Sequence, residues 1–195
     1  MVKQPLRRKW FPPAATEFKA NFDGAWFNES EEAGIGVVVR DSLGQVLVAL
    51  VGREKKKKKP HSMDCLEMMA MRKAMIFAQE IGLQKCHFEG DLETIIKALK
   101  IGDMSSSPFG HLVRDILAIV NSFLDFSFFH IVRQGNAMAH TLTLRLSTLP
   151  VYPSNPPEPE PTLRRSVTGR RPQNWTPSGW LAVFLSQNPS NQTRS

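Results

Sequence analysis

Cysteine is almost missing from this chain: it has two, Cys65 and Cys86, both in apolar settings. No disulfide framework is available, and an intracellular, reducing compartment is expected, nucleus or cytoplasm rather than secretion. Long hydrophobic runs are lacking too. No stretch approaches the roughly 20 apolar residues of a membrane span, and the basic start MVKQPLRRKW has no apolar segment behind it that would read as a secretory leader. There is no Cys-x-x-Cys pair, no P-loop, no nucleophile–histidine pairing and no internal repeat. Gly34-Ile-Gly36 lacks the third glycine and following helix of a dinucleotide site. What remains, 195 residues with 42% hydrophobic and 22% charged, suits one folded domain with tails.

The net charge of +7 is unevenly placed. Residues 1–10 carry four basic groups and no acid, and residues 150–195 carry five arginines against two glutamates, so the charges of residues 11–149 cancel. Within that middle part Lys55, Lys56, Lys57, Lys58 and Lys59 form one run. Such a cluster attracts polyanions without sequence preference, or is a solvated loop. Nine of the 14 prolines lie in 150–195. The domain reading is therefore a basic flexible lead-in at 1–16, a folded domain at 17–147 and a Pro-rich, disordered tail at 148–195. The apolar run GWLAVFL (179–185) inside the tail is too isolated to make a core, though it could dock weakly.

Periodicity organises the middle. Glu17–Trp26 alternates, with Phe18, Ala20 and Phe22 on one face and Lys19, Asn21 and Asp23 on the other, the mark of a strand. Ala33–Arg40 and Val46–Arg53 read as two more strands, hairpin-linked, with a turn at Asp41–Gly44. Met63–Ile81 is apolar at helical spacing and stops at Gly82. Then follow a strand at Lys85–Gly90, a short helix at Asp91–Leu99, a helix at Pro108–Phe123, a strand at Phe126–Val132 and a helix at Ala137–Leu146. The order βββαβααβα predicts an α/β mixed sheet flanked by helices.

On a helical wheel Glu67 falls opposite the polar arc of Arg72, Lys73, Gln79 and Glu80, among Met63, Ala74 and Ala78. A carboxylate inside an apolar stripe needs a salt bridge, a raised pKa or a metal ion, unless it belongs to a frayed first turn or answers the helix dipole. Asp23 stands on the polar face of the first strand, where it is either a site residue or a turn residue. Asp91 ends the fourth strand, where it is either a site residue or a helix N-cap. Three acids from three elements repel one another unless a cation lies between them, and hard oxygen ligands suit Mg²⁺ or Mn²⁺. The methionines at 63, 68, 69, 71 and 75 read as core filling.

The succession FDG, AGIGVVVRD, the helix glutamate of CLEMMAM, FEGD at a strand end and GNAMAH opening the last helix resembles the ribonuclease H type 1 domain. With the Trp-Pro-Pro-like lead-in RKWFPPAATEFKANFDGAW, it is similar to the plant branch found in non-long-terminal-repeat retroelements and their domesticated relatives. The resemblance spans about residues 10–147. It implies a five-stranded mixed sheet of order 3-2-1-4-5, and Mg²⁺- or Mn²⁺-dependent hydrolysis of the RNA strand of an RNA–DNA hybrid by a monomer. It carries the metal ligands onto Asp23, Glu67 and Asp91, and the fourth catalytic position onto His140, where the wider family has an acid. His140 either orients a metal or packs as a helix-face histidine near Ala137 and Leu144. Arg133 sits near the family's loop histidine, so it joins Lys55–Lys59 as a candidate nucleic-acid contact. The run KKKKKP also resembles a nuclear import signal. His130, inside a strand, reads as structural. The polar residues that often precede the family's helix glutamate are Ser62-Met63-Asp64 here, and the serine that commonly follows the third Asp is Leu92. The change at Met63 and the out-of-character tail keep a rival open, a non-catalytic nucleic-acid-binding module descended from a retroelement, and behind it a poorly folded fragment of which the tail is the sign.

Overall fold

Alternation writes the first strand. β1 (Phe18–Phe27) places Ala20 and Phe22 in the main core and Lys19, Asn21 and Asp23 on its other face. It pairs antiparallel with β2 (Glu32–Arg40), which pairs antiparallel with β3 (Val46–Lys55). The computed structural model describes residues 9–55, 59–60, 62–93, 96–97, 110–148 and 180–184. The basic lead-in before residue 9 and the middle of the lysine run lie outside the described residues. So do most of the expected helix after Asp91 and most of the tail.

Helix α1 (Met63–Glu80) starts at Ser62, whose hydroxyl accepts from the Cys65 amide at 3.4 Å. It ends as the sequence predicts. Gly82 takes φ +80, its amide donates to Gln79 and the Leu83 amide donates to Ala78, which satisfies two of the last orphan carbonyls. The turn delivers the chain to β4 (Lys85–Gly90), parallel to β1. Helix α2 (Gly110–Val120) then crosses to β5 (Asp125–His130), parallel to β4. Helix α3 (Ala137–Arg145) closes the domain.

The sheet contains the expected order 3-2-1-4-5. It is extended by a sixth strand, β6 (Trp180–Phe184), antiparallel to β3. The expectation of a disordered tail is corrected at these five residues. An isolated apolar run has no core of its own, but an open sheet edge supplies the backbone partners it lacks.

Helices α1 and α2 share one core with the sheet, built on Phe22, Met68, Met71, Met75, Phe77, Phe88 and Ile116. Met63 does not join it. It is 52% exposed at the head of α1, so its reading as core filling fails. A wheel reports angle around the helix, not whether the first turn overhangs the sheet.

The polar face of β1 is buried as well: Lys19, Asn21 and Asp23 are each at most 2% exposed. Period-two alternation separates two faces without saying that the polar one is wet. Here α3 and the lead-in Trp10 cover it, and the buried charges find partners. Lys19 pairs with Glu89 at 3.0 Å, Asn21 donates to Glu89 at 3.2 Å, and Arg40 donates to Asn21 at 3.4 Å. Arg40 also lies 4.4 Å from the Trp10 ring centre.

Candidate metal centre

Three elements converge beside the middle of β1. A Cβ on Gly24 would lie 2.6 Å from the Leu66 carbonyl oxygen, so only glycine lets α1 approach β1 this closely. The contact is one residue from both Asp23 and Glu67, and it sets their separation. The Gly24 amide donates to the Glu67 carboxylate. Asp91 arrives from the end of β4, where His130 Nε2 donates to its backbone carbonyl at 3.1 Å. That contact gives His130 the structural role read from the sequence.

Asp23, Glu67 and Asp91 each offer an oxygen within 4.8 Å of the others. Asp23 and Glu67 are 1% and 3% exposed, and Asp23 Oδ1 and Glu67 Oε2 have no hydrogen-bond partner among the described residues. Glu67 therefore belongs to a formed, buried turn, not a frayed one. Burial pushes its carboxyl well above the usual range, and the charges of Asp23 and Asp91 push the same way. Burial also raises Asp23, against the opposing pull of His140. Two buried carboxyls with orphaned oxygens, close enough to share a ligand, fit a small divalent cation, the hard acid such oxygens prefer.

A second ring orients these acids. His140 Nδ1 donates to Asp23 Oδ2 at 3.2 Å, so His140 is not merely a packed helix-face residue. Arg133 Nε donates to Asp91 Oδ2 at 2.9 Å, and its NH1 points at His140 Nε2 at 3.5 Å. The neutral Nδ1–H tautomer satisfies both neighbours, giving a chain from Arg133 through His140 to Asp23. Asp91 meets a guanidinium here, whereas the N-cap alternative falls on a helix lying mostly outside the described residues.

Sequence reasoning missed Asn136 and Thr143. Asn136 Nδ2 donates to the Phe22 carbonyl at 2.8 Å, and Thr143 Oγ1 donates to the Asp23 carbonyl at 3.2 Å. Together they clamp the backbone on both sides of the Asp23 side chain. The available signal was spacing, because residues 136, 140 and 143 share one helix face. Of the lysine run, Lys55 ends β3 and Lys59 Nζ donates to Asn28 at 3.2 Å on the β1–β2 turn. Lys56, Lys57 and Lys58 lie outside the described residues.

With this geometry in place, comparison with known proteins is informative. The family described as Reverse transcriptase-like matches residues 21–145. None of the curated proteins matches the chain. Among solved structures, RNase H1 from the archaeon Halobacterium salinarum superposes with a TM-score of 0.61 at 21% identity, covering 68% of this chain and 99% of that one. LC11-RNase H1, isolated from compost and solved in complex with an RNA/DNA hybrid, gives 0.57 at 21% identity, covering 66% and 95%. The N-terminal RNase H domain of a Mycobacterium tuberculosis protein gives 0.56 at 16% identity, covering 66% and 91%. At these identities the likeness is one of fold, and the fold is ribonuclease H-like.

Proposed function

Since the chain belongs to the Reverse transcriptase-like family, we propose that it is a divalent-metal-dependent endonuclease that cuts the RNA strand of RNA–DNA hybrids. The observation that carries the reading is the cluster of Asp23, Glu67 and Asp91, with two buried oxygens left unpartnered. These three would hold Mg²⁺ or Mn²⁺, with His140 in catalytic support. When bound, the ion supplies charge stabilisation at the phosphate and a nucleophile from water at neutral pH. The crystallised LC11 complex with an RNA/DNA hybrid supports the substrate class.

The chain's own residues do the rest. Asn136 and Thr143 fix the backbone that carries Asp23. His140 keeps a proton at Nδ1 for Asp23 Oδ2 and so orients that carboxyl. Arg133, 59% exposed, rests on Asp91 and is free to turn to a substrate phosphate. Lys55–Lys59 add charge attraction that is blind to sequence. Recognition of RNA rests on its 2′-hydroxyls across the minor groove. His140 at the fourth position and the Trp-Pro-Pro-like lead-in support the plant, retroelement-derived branch. A monomer working in the nucleus or cytoplasm completes the reading.

One observation favours a non-catalytic binding module instead. Exposed Met63 stands at the head of α1, where the family's polar residues would grip the hybrid backbone. Cleavage of a labelled hybrid in Mg²⁺ or Mn²⁺, beside duplex DNA and duplex RNA, separates the two. Wild type should cut the RNA strand of the hybrid. Asp23→Asn should lose about a thousandfold or more in rate, the several kcal/mol a displaced metal supplies, while still binding the hybrid. Wild-type protein that binds the hybrid without ever cutting it would promote the binding module.

A further inference from the structure

We propose that the outer edge of β3 is a strand-docking site whose occupant is the chain's own Trp180–Phe184 segment, which covers that edge in cis. An edge strand offers a row of unpaired amides and carbonyls, a template for any extended peptide. In this chain the edge is taken by a ladder running from Val48 opposite Phe184 to Gly52 opposite Trp180. Backbone pairing of this kind supplies affinity, and a side-chain anchor supplies selectivity. Trp180 is that anchor. Its ring lies 4.5 Å from Lys73 Nζ on α1 and packs against the main core.

The tail's sequence singles out the same segment. Pro177 and Pro189 bracket a proline-free apolar stretch, and proline cannot donate to a ladder. The other long proline-free stretch of the tail, 162–171, carries four arginines. The family match ends at residue 145, so β6 is an addition to the matched fold. The folded unit therefore extends past the expected boundary at 147 to residue 184. This inference stands independently of the nuclease reading.

The test uses a labelled peptide of residues 177–188 and the full chain, either wild type or carrying Ala182→Pro or Val183→Pro. Alternate residues donate to β3, so one of the two prolines removes a paired amide. The wild type should leave the peptide unbound, because its own segment fills the edge. At least one proline variant should bind it. In that variant the outward amides of Val48–Gly52 should exchange about tenfold faster or more, while β1–β2 amides keep their protection. Peptide binding to all three proteins, or to none, overturns the proposal. So does wild-type protection of β3 that appears only in a species of dimer mass, since a second copy would then donate the strand. If the proline variants unfold, cross-strand nuclear Overhauser contacts between Leu50 and Ala182 in monomeric wild type decide: their presence supports the docking and their absence overturns it.

Discussion

Two clusters of buried charge sit on the same face of β1, two residues apart, and they are built on opposite rules. Around Lys19 and Asn21 the charges are matched. The Lys19 ammonium meets Glu89 at 3.0 Å, Arg40 and Asn21 extend the network, and Trp10 lies against both cations. Around Asp23 they are not. Three carboxyls stand within 4.8 Å of one another, faced by one exposed guanidinium and one histidine. The first cluster ties β1 to its neighbours β4 and β2, with Trp10 laid over it. The second makes the metal-free fold less stable than it could be, which is the usual signature of a site kept for something other than folding.

That contrast can be attacked from either side, and the matched cluster should show the larger change in stability. Lys19→Met removes the ammonium that meets buried Glu89 at 3.0 Å and should destabilise the protein by about 3–5 kcal/mol, read from urea unfolding. Lys19→Met combined with Glu89→Gln should recover most of the loss. A small loss in the single variant would mean that the pair does little to tie β1 to β4.

The unmatched cluster should respond with the opposite sign. Glu67 has its pKa raised in the folded protein, so between the ordinary carboxylate value and the raised one the native state binds more protons than the unfolded chain. Its contribution to stability is present below the ordinary value and is lost as pH rises through that window. Glu67→Gln should therefore stabilise the metal-free protein at neutral pH. The difference between wild type and variant should shrink toward pH 4, as melting curves across pH will show. A variant less stable than wild type at neutral pH would place Glu67 in a satisfied structural role.

Arg133→Ala is the mildest test. The Arg133–Asp91 pair is more than half exposed on the arginine side, so stability should change by about 1 kcal/mol or less. If Arg133 contacts a phosphate, hybrid binding should weaken and its salt dependence should flatten, by up to about 0.9 in log–log slope on a duplex of the DNA type. An unchanged slope would confine Arg133 to orienting Asp91 and His140.

The same contrast explains what the sequence could and could not reveal. Helical and strand periods placed α1, β1 and β4 within a residue or two of where they stand, and the wheel put Glu67 inside the apolar stripe. Those are local signals. The burial of Lys19 and Asn21 was illegible because their cover comes from outside the strand, from Trp10 in the lead-in and from α3 near the other end of the domain. β6 was illegible for the same reason: Phe184 pairs with Val48 across most of the chain. Asn136 and Thr143 act through backbone carbonyls of β1, and a carbonyl leaves no mark on side-chain pattern.

The central claim is that the unmatched carboxyls are a cation site, and the most direct measurement is calorimetric titration of the metal-free full chain with Mn²⁺, paired with melting curves. Wild type should bind saturably and melt higher, with about 2.7 kcal/mol of added stability at a hundredfold excess over Kd, and Asp91→Asn should lose both effects. No saturable binding and an unchanged melting curve at ~10 mM Mn²⁺, well above the affinity expected of open carboxylate sites, would contradict it.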